Sequence, residues 1–241
     1  MTSHASTGQA APTGTAAGGS SSYARTSRTT PSRSRERVAY DRELVHSILD
    51  DDYVCHLGFV RDGLPAVLPT LYARVDEHLY VHGSTGSRPL REASESDPGM
   101  PVCVTVTRVD GLVLAKSAFH HSINYRTVVA HGIAHQVTDH EERLAALDAI
   151  VESVLAGRAD DSRRANAKEL AATAVLRLDL EEVSAKTRTG GPNEEREDLE
   201  LPYWSGVLPV TRTYGTPAPA EETAPGTPLP AYLTADRLTP R

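Results

Sequence analysis

Long apolar runs are missing from this 241-residue chain: nowhere do eighteen apolar residues follow one another, so no segment reads as a membrane-spanning helix. The N-terminus has no apolar core of the kind a secretory signal needs, which points to a cytoplasmic protein. Cysteine is scarce, with two residues in all. Cys55 in DYVCHLGFV and Cys103 in PVCVTVT each lie inside an apolar run and read as buried free thiols in a reducing compartment. A metal site would need more ligands at closer spacing, so none is expected. Positive charge is in deficit, and the net charge of −7 argues against a general nucleic-acid binder. The basic stretch SRTTPSRSRER lacks interleaved aromatics and reads as a solvated arm. Familiar catalytic signatures are also missing. There is no G-x-S-x-G elbow, no Walker A lysine, no GxGxxG and no carboxylate pair that stands out for hydrolysis.

Apolar residues make up 39% of the chain, and the shortfall is concentrated at the ends. Residues 1–33 are almost entirely Ala, Ser, Thr, Gly, Pro and Arg. Residues 212–241 are rich in Pro, Ala, Thr and Glu. Neither end can bury enough apolar surface to offset its ordering entropy, so both read as disordered tails around one domain at 34–211.

Within that domain a helix is expected over 40–50, with Leu44, Ile48 and Leu49 on one face. Two apolar runs joined by Asp62-Gly63 predict a hairpin, and Asp76-Glu77 turns the chain again into HLYVHG. A short helix could occupy PLREASESD. PVCVTVTRVDGLVLAKSA repeats the hairpin pattern around Asp110-Gly111, and NYRTVVAHGIAHQVTD reads as a strand pair bent at Gly132. Asp139 with Glu142 forms a capping box for a helix carrying Leu144, Leu147, Ile150, Val151, Val154 and Leu155, which Gly157 ends. ATAVLRLDLEEVSAK alternates as a strand. Short strands, tight turns and a few helices predict a mainly β fold, a closed antiparallel barrel with helical additions.

One stretch asks for a chemical explanation: LYVHGSTGSRPLRE, residues 79–92. Its glycines would let backbone amides approach an anion, Ser84, Thr85 and Ser87 offer hydroxyls, and Arg88 adds a fixed bidentate charge. If the next residues are helical, Pro89 suits the first turn and the amides there favour an anion as well. A plain strand-to-helix connection capped by serines explains the same residues. Adjacent His120 and His121 point to opposite faces of a strand and read as edge or pocket histidines. Tyr125 and Arg126 line a pocket or a barrel rim. Lys186 and Arg188 in SAKTRTGGP could meet an anion or stay solvated. Trp204 either stacks on a planar ligand or packs in a core or interface.

Taken in order, VCHLGFVRDGLPAVLPTLYAR, LYVHGSTGSR, LVLAKSAFHHSINYRTVVAHGIA, SAKTRTGGP and LPYWSGVLP resemble the pyridoxamine 5′-phosphate oxidase-like flavoproteins, the FMN-binding split barrels. The resemblance runs from about Arg35 to about Val210 and is to the nitroimidazole-resistance-like, flavin-nucleotide-binding branch. It implies that His82, Gly83, Ser84, Thr85, Gly86, Ser87 and Arg88 hold the FMN phosphate. The strand Leu68-Pro69-Thr70-Leu71-Tyr72 would pass beside the isoalloxazine ring, contributing Pro69, Thr70 and Tyr72. The family is usually homodimeric, with FMN at the subunit interface. Asn124 to Thr127 would then approach the flavin from the second subunit, and Trp204 would lie near the ring. Pro89 follows Arg88 where the true oxidase ends in Ser-Arg-Lys, and that enzyme's C-terminal substrate segment is not recognisable, so pyridoxamine phosphate oxidation is not expected. The implied function is an FMN-dependent oxidoreductase acting on a small molecule with a nicotinamide-type reductant. A flavin carrier or sensor without turnover, or a split barrel using deazaflavin or haem, are the rivals. No side chain stands out as an obligatory acid or base; His82, His120 and Tyr125 are candidate proton donors.

Overall fold

In the computed structural model of the chain, which describes residues 20–87 and 99–234, the alternating apolar stretches pair into one antiparallel sheet. Its strands are β1 Val38–Ala39, β2 Val54–Arg61, β3 Leu64–Val75, β4 His78–Ser84, β5 Met100–Leu114, β6 Ser122–Gln136, β7 Thr173–Asp179, β8 Glu182–Arg188 and β9 Gly206–Pro209. They lie in the order β1-β8-β6-β7-β4-β3-β2-β5-β9, and a further β5–β6 pairing closes the six central strands into a barrel. Both long strands divide their outer edge. β6 pairs with β8 over Tyr125–His131 and with β7 over Ala134–Gln136. β5 pairs with β2 over Val102–Thr105 and with β9 over Gly111–Leu114. This is the split antiparallel barrel that the sequence predicts.

Strand alternation fills the barrel. Leu57, Leu79, Val81, Val104, Val128, Leu176 and Leu178 turn inward and form the main core. A smaller core of Ala73, Tyr80, Val137, Ala146, Ile150 and Val175 lies on the outer face of β3, β4 and β7. Helix α2, His140–Val154, covers it. Helix α1, Arg42–Asp50, buries Val45, Ile48 and Leu49; Leu44 is only partly covered. Asp41 caps α1 by accepting from the Leu44 amide at 2.9 Å.

The Asp62-Gly63 hairpin forms as predicted, with φ of 52° and 78°, the paired positive values that a two-residue turn between twisted strands requires. Asp110-Gly111 does not turn the chain. β5 runs through it as one strand, with a register shift between Val109 and Gly111. The bulge lies where the outer partner changes from β2 to β9. A Cβ at Gly111 would meet Val207 at 3.1 Å and the Leu208 carbonyl at 3.3 Å, so glycine permits the close approach of β9. Likewise β6 is one strand through Gly132, because β5 pairs with it from Ser122 to Ala134. The stretch read as one strand, 172–186, is β7 and β8, joined at Leu180-Glu181. Asp139 caps α2 through the Glu142 amide at 2.8 Å. The Glu142 carboxylate does not complete a capping box. It accepts from the Tyr80 hydroxyl at 2.9 Å and from Arg177 at 3.1 Å. The reciprocal box belongs to a helix not predicted, α3, Ala167–Ala172, between Asn166 and Glu169.

Both tail expectations need correction where the structure describes them. Tyr23 is only 4% exposed, and Thr29 is buried. The Tyr23 amide donates to the Tyr40 carbonyl at 2.8 Å, and its hydroxyl donates to Glu77 at 2.8 Å. Tyr23 is the buried anchor of 20–33, and the Tyr40 hydroxyl on the Thr29 carbonyl at 2.9 Å and Arg42 on the Ser20 carbonyl at 2.9 Å hold the segment on either side of it. At the other end Arg212 pairs with the buried Asp52 at 2.7 Å, and the Tyr232 hydroxyl donates to Asp161 at 2.5 Å. Residues 1–19, 235–241 and the helix expected in PLREASESD lie outside the described residues.

Candidate functional site

On β4 the alternation sends Leu79 and Val81 into the barrel, while Tyr80 joins the outer core beneath α2. His82, two residues further on, faces the same outer side. Between it, α2 and the segment after α2 lies a cavity of about 400 Å³. Leu71, Ile150, Val151 and Val154 form its apolar wall, and Arg158, Arg163 and Arg164 line its open side. His82 Nδ1 is buried without a hydrogen-bond partner among the described residues. Burial lowers the pKa of this imidazole below its ordinary value and keeps it neutral. Asp148 also lines the cavity, and its carboxylate is paired to Arg164 at 2.6 Å.

The loop that follows folds back on its own chain. Thr85 donates its amide to the Ala172 carbonyl at 2.9 Å, Ser87 to the Ser84 carbonyl at 2.8 Å, and Gly86 to Ser84 Oγ at 3.2 Å. The Thr85 hydroxyl also donates to Ala172, at 3.3 Å. The amides of Thr85, Gly86 and Ser87 are thus engaged, which leaves the hydroxyls of Ser84 and Ser87 as the free donors among the described residues of the loop. Arg88 lies outside the described residues.

Tyr72 is a core residue rather than a ring contact. It is 1% exposed, its hydroxyl donates to the Leu49 carbonyl and its amide to Tyr53 at 3.1 Å. Ser153 donates to its carbonyl at 2.8 Å. The reason is the period of two: Tyr72 points into the barrel, so the strand cannot present all of 68–72 to one ligand. Pro69 ends a half-strand, Leu64–Pro69, most of whose residues are exposed, and Thr70 follows it, half-buried.

Asn124 and Thr127 lie elsewhere. Asn124 Oδ1 accepts from Arg188 at 2.5 Å and its Nδ2 donates to the Gly190 carbonyl at 3.1 Å. Arg188, 8% exposed, also donates to Gly191 at 2.9 Å. These bonds fix the Gly190-Gly191 turn. The Thr127 hydroxyl donates to the Val106 carbonyl at 2.7 Å. From Asn124 to Gln136, where β6 reaches β7, runs roughly 40 Å of strand at about 3.3 Å per residue. One protomer therefore does not bring this group to His82. Trp204 is 68% exposed, and Tyr203 and Phe119 are exposed as well. His120 sits in a short 3-10 turn, 3.6 Å from Glu195, and His121 Nδ1 meets the Ser117 carbonyl at 3.1 Å. Arg126 binds Asp110 with two bonds, at 2.9 and 3.0 Å, and Asp51 at 2.8 Å, pinning the β5 bulge. The sequence did not single out the cavity. Its signal was an apolar face on α2 wider than the small outer core needs, followed by arginines.

Residues 41–187 match the family model described as pyridoxamine 5′-phosphate oxidase. The chain belongs to this family. Flavocytochrome Anf3 from Azotobacter vinelandii is 34% identical, with a TM-score of 0.79, covering 86% of this chain and 95% of its own. An FAD- and haem-binding protein from Mycobacterium smegmatis is 37% identical, with a TM-score of 0.76, covering 81% and 94%. A protein from Bacteroides thetaiotaomicron described as a 5-nitroimidazole antibiotic resistance protein shares the fold at 20% identity, with a TM-score of 0.50, covering 62% and 85%. Among curated proteins nothing matches this sequence. The pyridoxamine 5′-phosphate oxidase family is the one that the ordered motifs resemble. Among the described residues no helix is long and apolar enough to cross a membrane.

Proposed function

We propose that this chain is a cytoplasmic, homodimeric, flavin-nucleotide-dependent oxidoreductase that takes electrons from a nicotinamide-type donor and delivers them to a small molecule. The observation that carries this reading is the 34% and 37% identity, over most of both chains, to proteins named as a flavocytochrome and as an FAD- and haem-binding protein. FMN is the nucleotide that the loop motif implies; FAD contains the same phosphate-bearing half. In this reading Ser84, Ser87 and Arg88 hold that phosphate. Bound there, a flavin supplies the hydride and electron chemistry, while the chain positions it and excludes water.

Dimerisation is part of the proposal because the candidate groups are split. Exposed Leu64 and Leu68 on one face of β3 and exposed Val67 on the other leave the first half of this strand uncovered, and exposed Trp204 and Ile123 lie toward the other end. A second copy covering both would bring the Asn124 end of one protomer to the β3–β4 end of the other. A haem beside the flavin is the second reading, favoured by the apolar cavity at His82 and by the two relatives' names.

An absorption spectrum of the purified protein, mass analysis of what heat releases, and light scattering test this together. Flavin near one per chain and a mass near twice 25.9 kDa are expected. A protein that stays colourless and binds neither FMN nor FAD when supplied would overturn the reading.

A further inference from the structure

We propose that the cavity beneath α2 is this chain's haem site, with the His82 imidazole as axial ligand and Arg158, Arg163 and Arg164 receiving the propionates. This rests on the haem part of the reading above. The volume, about 400 Å³, falls within the range of about 300–1,000 Å³ typical of small-molecule sites. The wall is apolar, as a porphyrin face requires. Among the described residues lining it, His82 alone is of a type that ligates haem iron.

The state of His82 fits ligation. Among the described residues its Nδ1 is buried without a partner, an arrangement that is costly unless a ligand satisfies the ring. The arginines fit the other end of the ligand. Arg158 is 3.5 Å from Asp161, Arg163 is 2.8 Å from Glu169 and Arg164 is 2.6 Å from Asp148. The Arg158 and Arg163 pairs lie about half or more in solvent on both sides, where an ion pair contributes little, so carboxylates of a ligand can replace Asp161 and Glu169 at small cost, while Arg164 can receive a propionate in addition to Asp148. Guanidinium groups suit that exchange through their bidentate fit to carboxylates. An apolar slot with an imidazole inside and cations at its mouth matches an amphipathic, dianionic metalloporphyrin. His82 and Ser84 share one face of β4 about 7 Å apart along the strand, so this site adjoins the phosphate loop.

The test titrates haemin into the full-length protein and into His82→Ala and Arg163→Glu/Arg164→Glu variants, reading the Soret band and the haem extracted per chain. The wild type should bind about one haem. His82→Ala should bind at least tenfold more weakly with a shifted Soret band, and added imidazole should restore both. The double arginine variant should weaken haem at least tenfold but leave haem dimethyl ester, which lacks the carboxylates, little changed. Unaltered haem affinity and spectrum in His82→Ala would overturn the ligand assignment while leaving the haem reading intact. No haem in the wild type, after reconstitution, would remove the haem reading itself. Should His82→Ala fail to fold, the arginine variant decides, since its changes are at exposed positions: equal loss of haem and its ester, or no loss of either, would overturn the site.

Discussion

Replacing Asn124 separates a flavin contact from a structural lock. Its side chain accepts from the Arg188 guanidinium at 2.5 Å and donates to the Gly190 carbonyl at 3.1 Å, and both Asn124 and Arg188 are at least nine-tenths buried. Among the described residues no carboxylate pairs with Arg188; carbonyls and this amide carry its charge. Asn124→Ala removes one bond to a charged group, worth about 1.5–3 kcal/mol, and one neutral bond worth about 0.5–1.5 kcal/mol. The carbonyls of Gly190 and Gly191 remain on Arg188 and offset part of that, so a net loss of about 2–3 kcal/mol is expected. Asn124→Asp keeps an acceptor against the guanidinium and loses only the donor to Gly190, so its cost should be near 1 kcal/mol. Urea denaturation of both variants reads this as a lower midpoint at unchanged slope. The lock reasoning fails if Asn124→Ala unfolds at the wild-type midpoint. It fails as well if Asn124→Asp abolishes flavin binding at full stability, the pattern of a direct flavin contact.

Arg212→Ala should cost about 2 kcal/mol in the same assay, because it strips the only ion-pair partner among the described residues from Asp52, a carboxylate whose side chain is 8% exposed. Burial opposes ionisation of Asp52, yet Arg212 and the amides of Tyr53 and Val54 outweigh it and hold the carboxyl below its usual range. An unchanged midpoint would mean that the segment after β9 is not held to the barrel. Tyr23→Phe should cost about 1 kcal/mol by removing the hydroxyl bonded to Glu77 and His46. Trypsin should then cut faster at Arg25 and Arg28, and rapid cutting there in the wild type would refute the anchored strap. In the cofactor-free protein, His82 and His131 both have pKa values lowered by burial from 6.5, with Arg28 adding to the effect at His131. The unfolded chain then binds more protons, so stability is full above about 6.5 and is lost as pH falls through the lower folded values. Melting temperatures between pH 7.5 and 5 should fall less steeply for His82→Gln, and identical slopes would count against a buried neutral His82.

How much of this was legible in the sequence depends on how local the cause was. Asp62-Gly63 could be read because the turn's demand for positive φ is met within two residues. Asp110-Gly111 has the same letters, but its outcome was set by pairing with β6 on one side and by β9, from residue 206 onward, on the other. A dipeptide cannot distinguish a turn from a bulge when distant strands supply the hydrogen bonds. The tails erred differently. Averaged composition correctly marked 20–33 as polar, yet Tyr23 seated against Arg42 and Glu77, with bonds from Tyr40 and Arg42 to carbonyls of the segment, fastens it. The Tyr72 assignment relied on free backbone groups along the strand, and those of Tyr72 are taken by the Tyr53 carbonyl and the Ser153 hydroxyl, partners that no local pattern marks.

The run His82 to Arg88 shows how one motif can conceal two environments. In the sequence it reads as a single anion loop because histidine, serines, threonine and arginine are all polar and contiguous. In the structure β4 continues to Ser84, so strand geometry rather than loop geometry governs His82. Its ring faces the cavity beneath α2 that Ile150 and Leu71 also line, and the turn begins only after Ser84. The helix that covers His82 begins 58 positions later, at His140, and no local pattern announces a partner that far away. The apolar excess on α2 was therefore the one sequence trace of the cavity. It becomes interpretable once β4, β7 and α2 are known to form a single wall.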